Sequence, residues 1–597
     1  MEFNQKVKDG AAHIVDNCMG HEEAFCVATC PMHTDVKKYM AQIGEGNFEG
    51  ALLTIREKLF LPNTLGRICA HPCESVCRRN EEFGQPLSIA ALKRFAAERA
   101  DKKSLWDIQT GAPTGRKVAI IGAGPAGAQA AIDLRKQGHD VTIFEKLEVV
   151  GGMMRVGIPE YRLPRDIIDF EYTYLTDLGV EMRMGVEIGK DISFKQLKEE
   201  YDSVIVAHGA HKGTKPPVPG VENDGVFHAV EYLKEISLTH QFPKAGKKVA
   251  VIGGGDVAMD CARSSWRIGA EEVYLISLEE EENLPASKFE QEEALEEGVA
   301  FLNGWGTQEI IAENGRVSSI KTRKVKSMFD AEGRFNPSYT DEEKTIEVDT
   351  VVFATGQLVE DISGGVLEQT RGGRYVVDQE TLATSEPNVF VAGDASGGAI
   401  VVQAMALGRK AAKSAGLYLQ GKDLKTNRIF EKEYSYTTRL DIPLPKGTED
   451  LPRTSGNLRP AEERKLDFIQ ADLGYTDEQA VKEASRCLQC ECKLCMSECV
   501  MMNDFGECPQ DIFKDFLESG GIDPVIPYSC NMCGGCTHVC PQDFPIGDVF
   551  MGMRKDFILQ NNGKSPMKGH KAIEMHQMLG FSKIFTTKAK TKAKGVK

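Results

Sequence analysis

The sequence predicts an α/β protein, and three observations carry that expectation. Two short apolar strands each run into a glycine-rich loop and then a helix. Two further segments, Asp202-Ser-Val-Ile-Val-Ala-His-Gly209 and Asp349-Thr-Val-Val-Phe-Ala-Thr-Gly356, repeat one buried strand ending in a glycine turn. Sixteen of the seventeen cysteines lie in two islands, Cys18 to Cys77 and Cys487 to Cys540, with only Cys261 between them. Together they predict two Rossmann-like dinucleotide-binding domains, one inserted in the other, flanked by helical N-terminal and C-terminal iron-sulfur domains.

In the first unit Arg116 to Ile121, RKVAII, enters Gly122-Ala-Gly124-Pro-Ala-Gly127 and the helix-forming AQAAIDLRKQG. The glycines allow a tight turn and close approach to a pyrophosphate, whose charge then faces the unpaired amides of the helix N-terminus. The next strand, Val141 to Phe144, ends in Glu145, at the distance from the loop where a carboxylate binds a ribose hydroxyl. In the second unit Lys247 to Ile252, KKVAVI, enters Gly253-Gly-Gly255-Asp256-Val-Ala258, with alanine as the third small residue. The strand Glu272 to Ile276 then leads to Ser277-Leu278-Glu279. Glu279 is placed to accept from an adenosine ribose and to repel a 2'-phosphate, by about 4 kcal/mol per unit charge at 4 Å in a partly screened site. That favours NADH over NADPH; the alternative is that Glu279 begins a solvated acidic loop. A third strand, Val389 to Ala392, ends at Gly393-Asp394 and precedes a helical run, Val402 to Leu419.

The C-terminal island contains Cys530-x2-Cys533-x2-Cys536-x3-Cys540-Pro541, the spacing of a ferredoxin-type [4Fe-4S] site, whose fourth cysteine commonly serves a second cluster. Cys487, Cys490, Cys492, Cys495, Cys499 and Cys508 are the candidates for the remaining ligands. Spacing leaves their pairing open, with Cys508-Pro509 resembling a terminal Cys-Pro that would complete the cube of Cys530, Cys533 and Cys536. Zinc is the alternative for such pairs. The N-terminal island reads Cys18-x2-His21-x4-Cys26-x3-Cys30-Pro31 followed by Cys69-x3-Cys73-x3-Cys77. An imidazole can ligate iron, but it is neutral where a thiolate is anionic. One or two N-terminal clusters are expected beside two C-terminal ones, against an eroded domain whose cysteines only fill a small core.

These motifs resemble the two-dinucleotide-binding flavoproteins of the glutamate synthase small-subunit type over about residues 18 to 420, and Gly151-Gly-Met-Met-Arg-Val-Gly-Ile-Pro-Glu-Tyr-Arg-Leu-Pro164 is similar to that family's flavin-site segment. The resemblance implies FAD at Gly122, Gly124, Gly127, Glu145 and Gly152, with Asp394 on the ribityl chain. It implies NAD(H) at Gly253, Gly255, Ala258 and Glu279. Members that use NADPH carry Tyr-Arg-Arg where this chain has Ser277-Leu278-Glu279. By the same analogy Cys18, His21, Cys26 and Cys77 form one site and Cys30, Cys69 and Cys73 another, with Lys93 where relatives place a Gln or Glu ligand. A disulfide-reductase outlet is excluded, because Cys261 has no cysteine partner between the islands.

Length suggests about four domains. The expected plan is an N-terminal iron-sulfur domain at 1–112, an FAD domain at 113–244 and 366–425, an NAD(H) domain at 245–365, a polar connector at 426–470 and a C-terminal ferredoxin-like domain at 471–597. The net charge of −16 argues against a nucleic-acid partner, with the basic tail Thr586 to Lys597 as a short exception. No apolar run is long enough to span a bilayer, and residues 1–17 lack a signal-peptide core, so a cytoplasmic site is expected. His33, His71, His208 and His211 read as surface or packed residues outside the mechanism.

The expectation is a flavin-dependent NADH:acceptor oxidoreductase, an electron-transfer subunit exchanging electrons with a complex partner or ferredoxin through its clusters. The alternatives are a glutamate synthase small subunit using NAD(P)H and a non-catalytic relay or assembly subunit.

Overall fold

The computed structural model describes residues 3–398, 400–426, 428, 438–445 and 447–582, so the basic tail lies outside the described residues. The chain divides into a larger unit, Cys26–Tyr436 with Glu449–Cys487, and a smaller one, Met1–Phe25 with Thr437–Thr448 and Leu488–Lys597.

Two parallel five-stranded sheets dominate the larger unit. In the first the order is Val389–Val391, Ser203–Val206, Lys117–Ile121, Asp140–Glu145, Glu181–Met184. In the second it is Val226–His228, Thr350–Phe353, Lys248–Ile252, Glu272–Ser277, Ala300–Asn303. The chain leaves the first sheet after Val206, builds the whole second sheet, and returns at Val389, which is the expected insertion. Each glycine-loop strand pairs in parallel with one of the two repeated segments, Val118 with Ser203 and Val249 with Thr350. Those repeated strands are buried along their whole length, as apolar runs in a parallel sheet covered on both faces must be.

The helix Val401–Leu419 packs on Pro125–Lys136 through small residues. A Cβ on Gly408 would stand 2.1 Å from the carbonyl oxygen of Ala126, so only glycine lets the helices come this close. The second sheet carries an antiparallel three-stranded extension, Trp305–Glu313, Arg316–Phe329 and Phe335–Glu347, which the sequence reading did not foresee. Its strands mix charges with apolar residues and are held partly by pairs such as Lys321 with Glu343 at 2.8 Å.

The longer helices of the larger unit ahead of the first sheet are Val36–Gly44, Phe48–Arg56, Pro62–Ile68 and Ile89–Ala100. Asp35 and Asn47 cap the first two through the amides of Lys38 and Gly50. The third has no side-chain cap of its own, and the carboxylate of Glu171 takes that role, accepting from the amides of Asn63 at 2.7 Å and Thr64 at 3.0 Å.

In the smaller unit the helix Gln5–Asn17 packs with Pro509–Ser519 and Ile546–Gln560. Val7, Ala11 and Ile14 are buried among Ile512, Phe513, Val549, Phe550 and Met553. Phe3 meets the edges of Phe516 and Phe557 at 5.0 and 5.3 Å between ring centres. Among the described residues no helix is long and apolar enough to cross a membrane.

Candidate functional site

The first glycine loop is shaped by contacts that a side chain would destroy. Gly122 has φ +106°, and a Cβ there would lie 2.6 Å from the carbonyl oxygen of Ala207. A Cβ on Gly127 would lie 2.1 Å from the oxygen of Gly122, so this glycine sets the packing of helix on strand. Gly152, at φ +54°, brings its segment against Gly124. A Cβ on Gly124 would meet protein no nearer than 4.0 Å, so this side of the loop faces open space.

Glu145 is buried, and its carboxylate accepts from the amides of Ala123 and Leu147, each at 2.8 Å. Burial raises its pKa while those amides oppose the rise. Burial likewise raises Asp394, with Arg374 opposing.

Gly122, Gly124, Glu145, Gly152 and Asp394 all line one cavity of about 330 Å³. The same cavity is lined by Asp256, Val257 and Asp260 from the helix after the second glycine loop, and by Ile68, Cys69 and Ala70 from the N-terminal helices. Glycine loop, nucleotide helix and cysteine island thus converge on one space. His208 and His211, which sequence reasoning set aside, line it too; burial lowers them to about 4 and about 3, so both imidazoles are neutral at physiological pH. His208 lies two residues past a repeated buried strand and His211 five residues past it, at the C-terminal edge where α/β sheets bind ligands, and that position was the available signal.

In the second loop Gly253 has φ +143°, and its Cβ would lie 2.7 Å from the oxygen of Ala354. Gly255 would meet nothing within 4 Å. Ala258 is buried in the helix that follows. Glu279 is half-buried, and its Oε2 lies 3.0 Å from where a Cβ on Gly254 would stand, so the carboxylate sits at the loop. The Glu279 carbonyl is fixed by Ser277 Oγ at 3.0 Å and the Gly304 amide at 2.7 Å. Lys324 pairs with the neighbouring Glu280 at 2.9 Å.

Charge pairs clamp the two nucleotide units together. Arg162, at the end of the flavin-site-like segment, bonds both oxygens of Asp260 at 2.7 Å and Glu290 at 2.6 Å. Arg263 and Arg267 pair with Glu297 and lie over the ring of Tyr161. Arg464 joins this buried network through Glu296 and Glu297.

No cysteine of the described residues is in a disulfide, and Cys261 is fully buried, so it provides no disulfide outlet. In the larger unit Cys69 and Cys73 are raised by burial, with Cys30 among the neighbouring charges and the buried Lys93 opposing the rise in both. Lys93 therefore lies near Cys69 and Cys73. Cys26, Cys30 and Cys73 all act on the buried Tyr39. Cys77 and Cys487 both act on Arg79, which donates to the Arg486 carbonyl.

In the smaller unit Cys18, Cys492, Cys495 and Cys540 line one small cavity whose remaining lining, including Leu494, Phe544 and Ile546, holds no cationic side chain. Burial raises Cys492, and pushes Cys495 up to about 12. Four thiols enclosed without a counter-cation fit a metal centre, which supplies the positive charge that deprotonates them. Cys536 has Cys499 and Cys530 as its charge neighbours. The Met532 amide donates to the Cys530 sulfur at 3.4 Å, while Cys533 is exposed. Cys490 packs with Cys492 against Met19, Leu440 and Ile442.

Cys508 stands against Cys18 and His21, the latter at 3.4 Å, and shares a buried cluster with Cys536. Cys508-Pro509 is the N-cap and first residue of a helix, with Asp511 closing the capping box. His21 in turn bonds Asp511 at 2.6 Å, and the ligand atoms of His21, Cys508 and Asp511 lie within 4.8 Å of one another. The thiol of Cys508 draws Cys18 down to about 6.

Comparison with known proteins agrees with this architecture. Residues 116–415 match the family model described as pyridine nucleotide-disulphide oxidoreductase, and residues 2–105 and 464–545 match that of dihydropyrimidine dehydrogenase domain II, 4Fe-4S cluster. The chain is 38% identical to the NADP(+)-dependent formate dehydrogenase subunit beta of Moorella thermoacetica, over 78% of this chain and 70% of that protein. It is 34% identical to the NAD-dependent dihydropyrimidine dehydrogenase subunit PreT of Escherichia coli O157:H7, over 68% and 93%. It is 32% identical to the glutamate synthase [NADPH] small chain of Escherichia coli K12, over 69% and 92%.

Proposed function

Because the chain belongs to the pyridine nucleotide-disulphide oxidoreductase family, in its two-domain FAD, NAD(P) and iron-sulfur branch, we propose that it is a flavin-dependent NADH:acceptor oxidoreductase. It acts as the electron-transfer subunit of a larger assembly, exchanging electrons with a partner protein or ferredoxin. The observation that carries this reading is the single cavity lined by the first glycine loop, the helix of the second, and Cys69. Bound flavin supplies the exchange between two-electron and one-electron chemistry.

The chain's own residues divide the work. Gly122, Gly124, Gly127 and Gly152 admit the pyrophosphate of FAD, with Glu145 on its ribose and Asp394 on its ribityl chain. Gly253, Gly255, Ala258 and Glu279 hold the nicotinamide nucleotide. Arg162 keeps the two sites in register through Asp260 and Glu290. The neutral His208 and His211 add no charge to the cavity, so orientation and exclusion of water are left as the means of promoting hydride transfer. Cys69 stands in the cavity wall as the first residue of the outlet; Cys30, Cys69 and Cys73, Cys26 and Cys77, and the C-terminal cysteines would hold the clusters.

Glu279 at the second loop favours NADH, since its carboxylate occupies the place a 2'-phosphate would approach and Lys324 is engaged by Glu280. The names of the relatives include both NAD and NADP(H). The test is anaerobic titration of the purified protein with each nucleotide while following the flavin absorbance. NADH should bleach the band at lower concentration than NADPH, and Glu279→Arg should lower the NADH:NADPH ratio of kcat/KM by at least about tenfold, roughly 1.4 kcal/mol. A wild-type preference for NADPH overturns the role of Glu279, and no bleaching by either nucleotide favours a non-catalytic relay.

A further inference from the structure

The two cysteine islands are copies of one ligand pattern. Cys18-x2-His21-x4-Cys26-x3-Cys30 has the same spacing as Cys487-x2-Cys490-x4-Cys495-x3-Cys499, and one iron-sulfur family model matches the stretches around both. Position by position, Cys18 corresponds to Cys487, His21 to Cys490, Cys26 to Cys495 and Cys30 to Cys499. Were each copy self-contained, Cys18 would stand with Cys26, and Cys487 with Cys495.

The fold sorts them otherwise. Cys18 shares its cavity in the smaller unit with Cys492, Cys495 and Cys540. Its position there is fixed by the buried helix Gln5–Asn17 that precedes it. Cys487 belongs to the larger unit with Cys26 and Cys77. It is anchored through the residue before it: Arg79, two residues beyond Cys77, donates to the Arg486 carbonyl, and the Arg486 guanidinium donates to the Gln85 carbonyl at 2.8 Å and to Glu483 at 2.6 Å. Glu483 in turn accepts from the Ser88 amide at 2.9 Å.

We propose that the two copies have exchanged their first ligand, so that Cys18 completes an iron-sulfur centre with Cys492, Cys495 and Cys540 while Cys487 takes its place beside Cys26 and Cys77. The exchange accounts for two departures at once. His21 travels with Cys18 and meets Cys508 and Asp511, so its imidazole does not weaken the N-terminal set. Cys492 has no counterpart in the first copy, where Glu23 stands, and it supplies the fourth thiol that the exchanged segment, carrying histidine, does not bring.

This inference rests on the reading that the islands hold iron-sulfur centres, and the test separates the two. The full-length protein is purified anaerobically as wild type, as the single variants Cys18→Ser, Cys540→Ser, Cys77→Ser and Cys487→Ser, and as the doubles Cys18→Ser/Cys540→Ser and Cys18→Ser/Cys77→Ser. Iron per flavin and the electron paramagnetic resonance spectrum after dithionite reduction are measured. Cys18→Ser should lose or shift the same signal as Cys540→Ser, and Cys487→Ser the same as Cys77→Ser. The first double should lose no more iron than one cluster's complement, and the second should lose two. If Cys18→Ser instead matches Cys77→Ser, the exchange is overturned while the clusters stand. Absence of iron and of any signal in the wild type overturns the cluster reading itself. Should the serine variants fail to accumulate with flavin, the corresponding aspartate variants, which keep an anionic ligand, are compared by the same pairing of spectra.

Discussion

The two nucleotide cradles are built from one plan and differ in how far they close. In the first, the acidic residue after the second strand is buried and tied to two loop amides, and the Gly151-Gly152 turn lies across the loop. In the second, Leu284 and Pro285 pack against Gly254, whose carbonyl accepts from the Ala286 amide at 3.0 Å, but Glu279 is only half-buried and a Cβ on Gly255 would meet nothing within 4 Å. A carboxylate tied down and one left half-exposed suit, on the function proposed above, a resident cofactor and a co-substrate that has to dissociate in every turnover.

The largest effect should come from adding one methyl group to each cradle. Gly127→Ala puts a Cβ 2.1 Å from the Gly122 oxygen, and purified protein should carry less than about a tenth of the wild-type flavin, read from the absorbance ratio of flavin to protein. Gly255→Ala meets no protein atom within 4 Å, so flavin content should be unchanged while KM for the nucleotide rises. Equal flavin loss in both variants would erase the distinction.

A smaller effect is expected at the clamp between the cradles. Arg162→Ala leaves Asp260 buried without its partner and Glu290 with Arg263 alone, which should cost about 3–5 kcal/mol in a reversible denaturation. Arg162→Lys should restore charge without the forked geometry and recover only part of it. Full recovery by lysine would show that charge alone, and not register, is what the clamp provides.

The smallest effect concerns the outlet side of the first cradle. Glu171 caps the helix whose end, Ile68 and Cys69, lines the cavity, and burial lifts its pKa to about 7. A folded-state pKa above the unfolded value means the carboxyl's contribution is fully present below about pH 4.5 and is lost as pH rises through about 7. The Tm of Glu171→Gln should therefore gain on the wild type between pH 5 and pH 8. A constant difference across that range would show that Glu171 does not titrate.

Much of this was legible in the sequence, for definite reasons. Strands such as Lys117–Ile121 and Lys248–Ile252 are short apolar runs ending in glycine, and a parallel sheet buried on both faces requires that pattern. The repeated segments at 203–206 and 350–353 gave away the insertion, because the fold uses each as the neighbour of a glycine-loop strand. The antiparallel extension at 305–347 was not legible, since its strands alternate charge and apolar residues in the manner of a solvated surface. His208 and His211 were passed over because an isolated histidine carries no spacing signal. Cys508-Pro509 was read as a ligand motif when the same dipeptide is also a helix start. The matching spacing of Cys18 to Cys30 and Cys487 to Cys499 was in plain view, but which copy serves which unit depends on chain path, and spacing does not encode that.

The helix Gln5–Asn17 has its packing partners near the other end of the chain, at Pro509–Ser519 and Ile546–Gln560. On a ribosome moving at about 5–20 residues per second, an early helix whose partners lie nearly 500 residues downstream waits roughly 25 to 100 seconds for them. Throughout that interval Val7, Ala11 and Ile14 have no core to enter. The smaller unit can therefore close only after Ile546–Gln560 has been made, once the whole of the nucleotide-binding sheets has already left the ribosome.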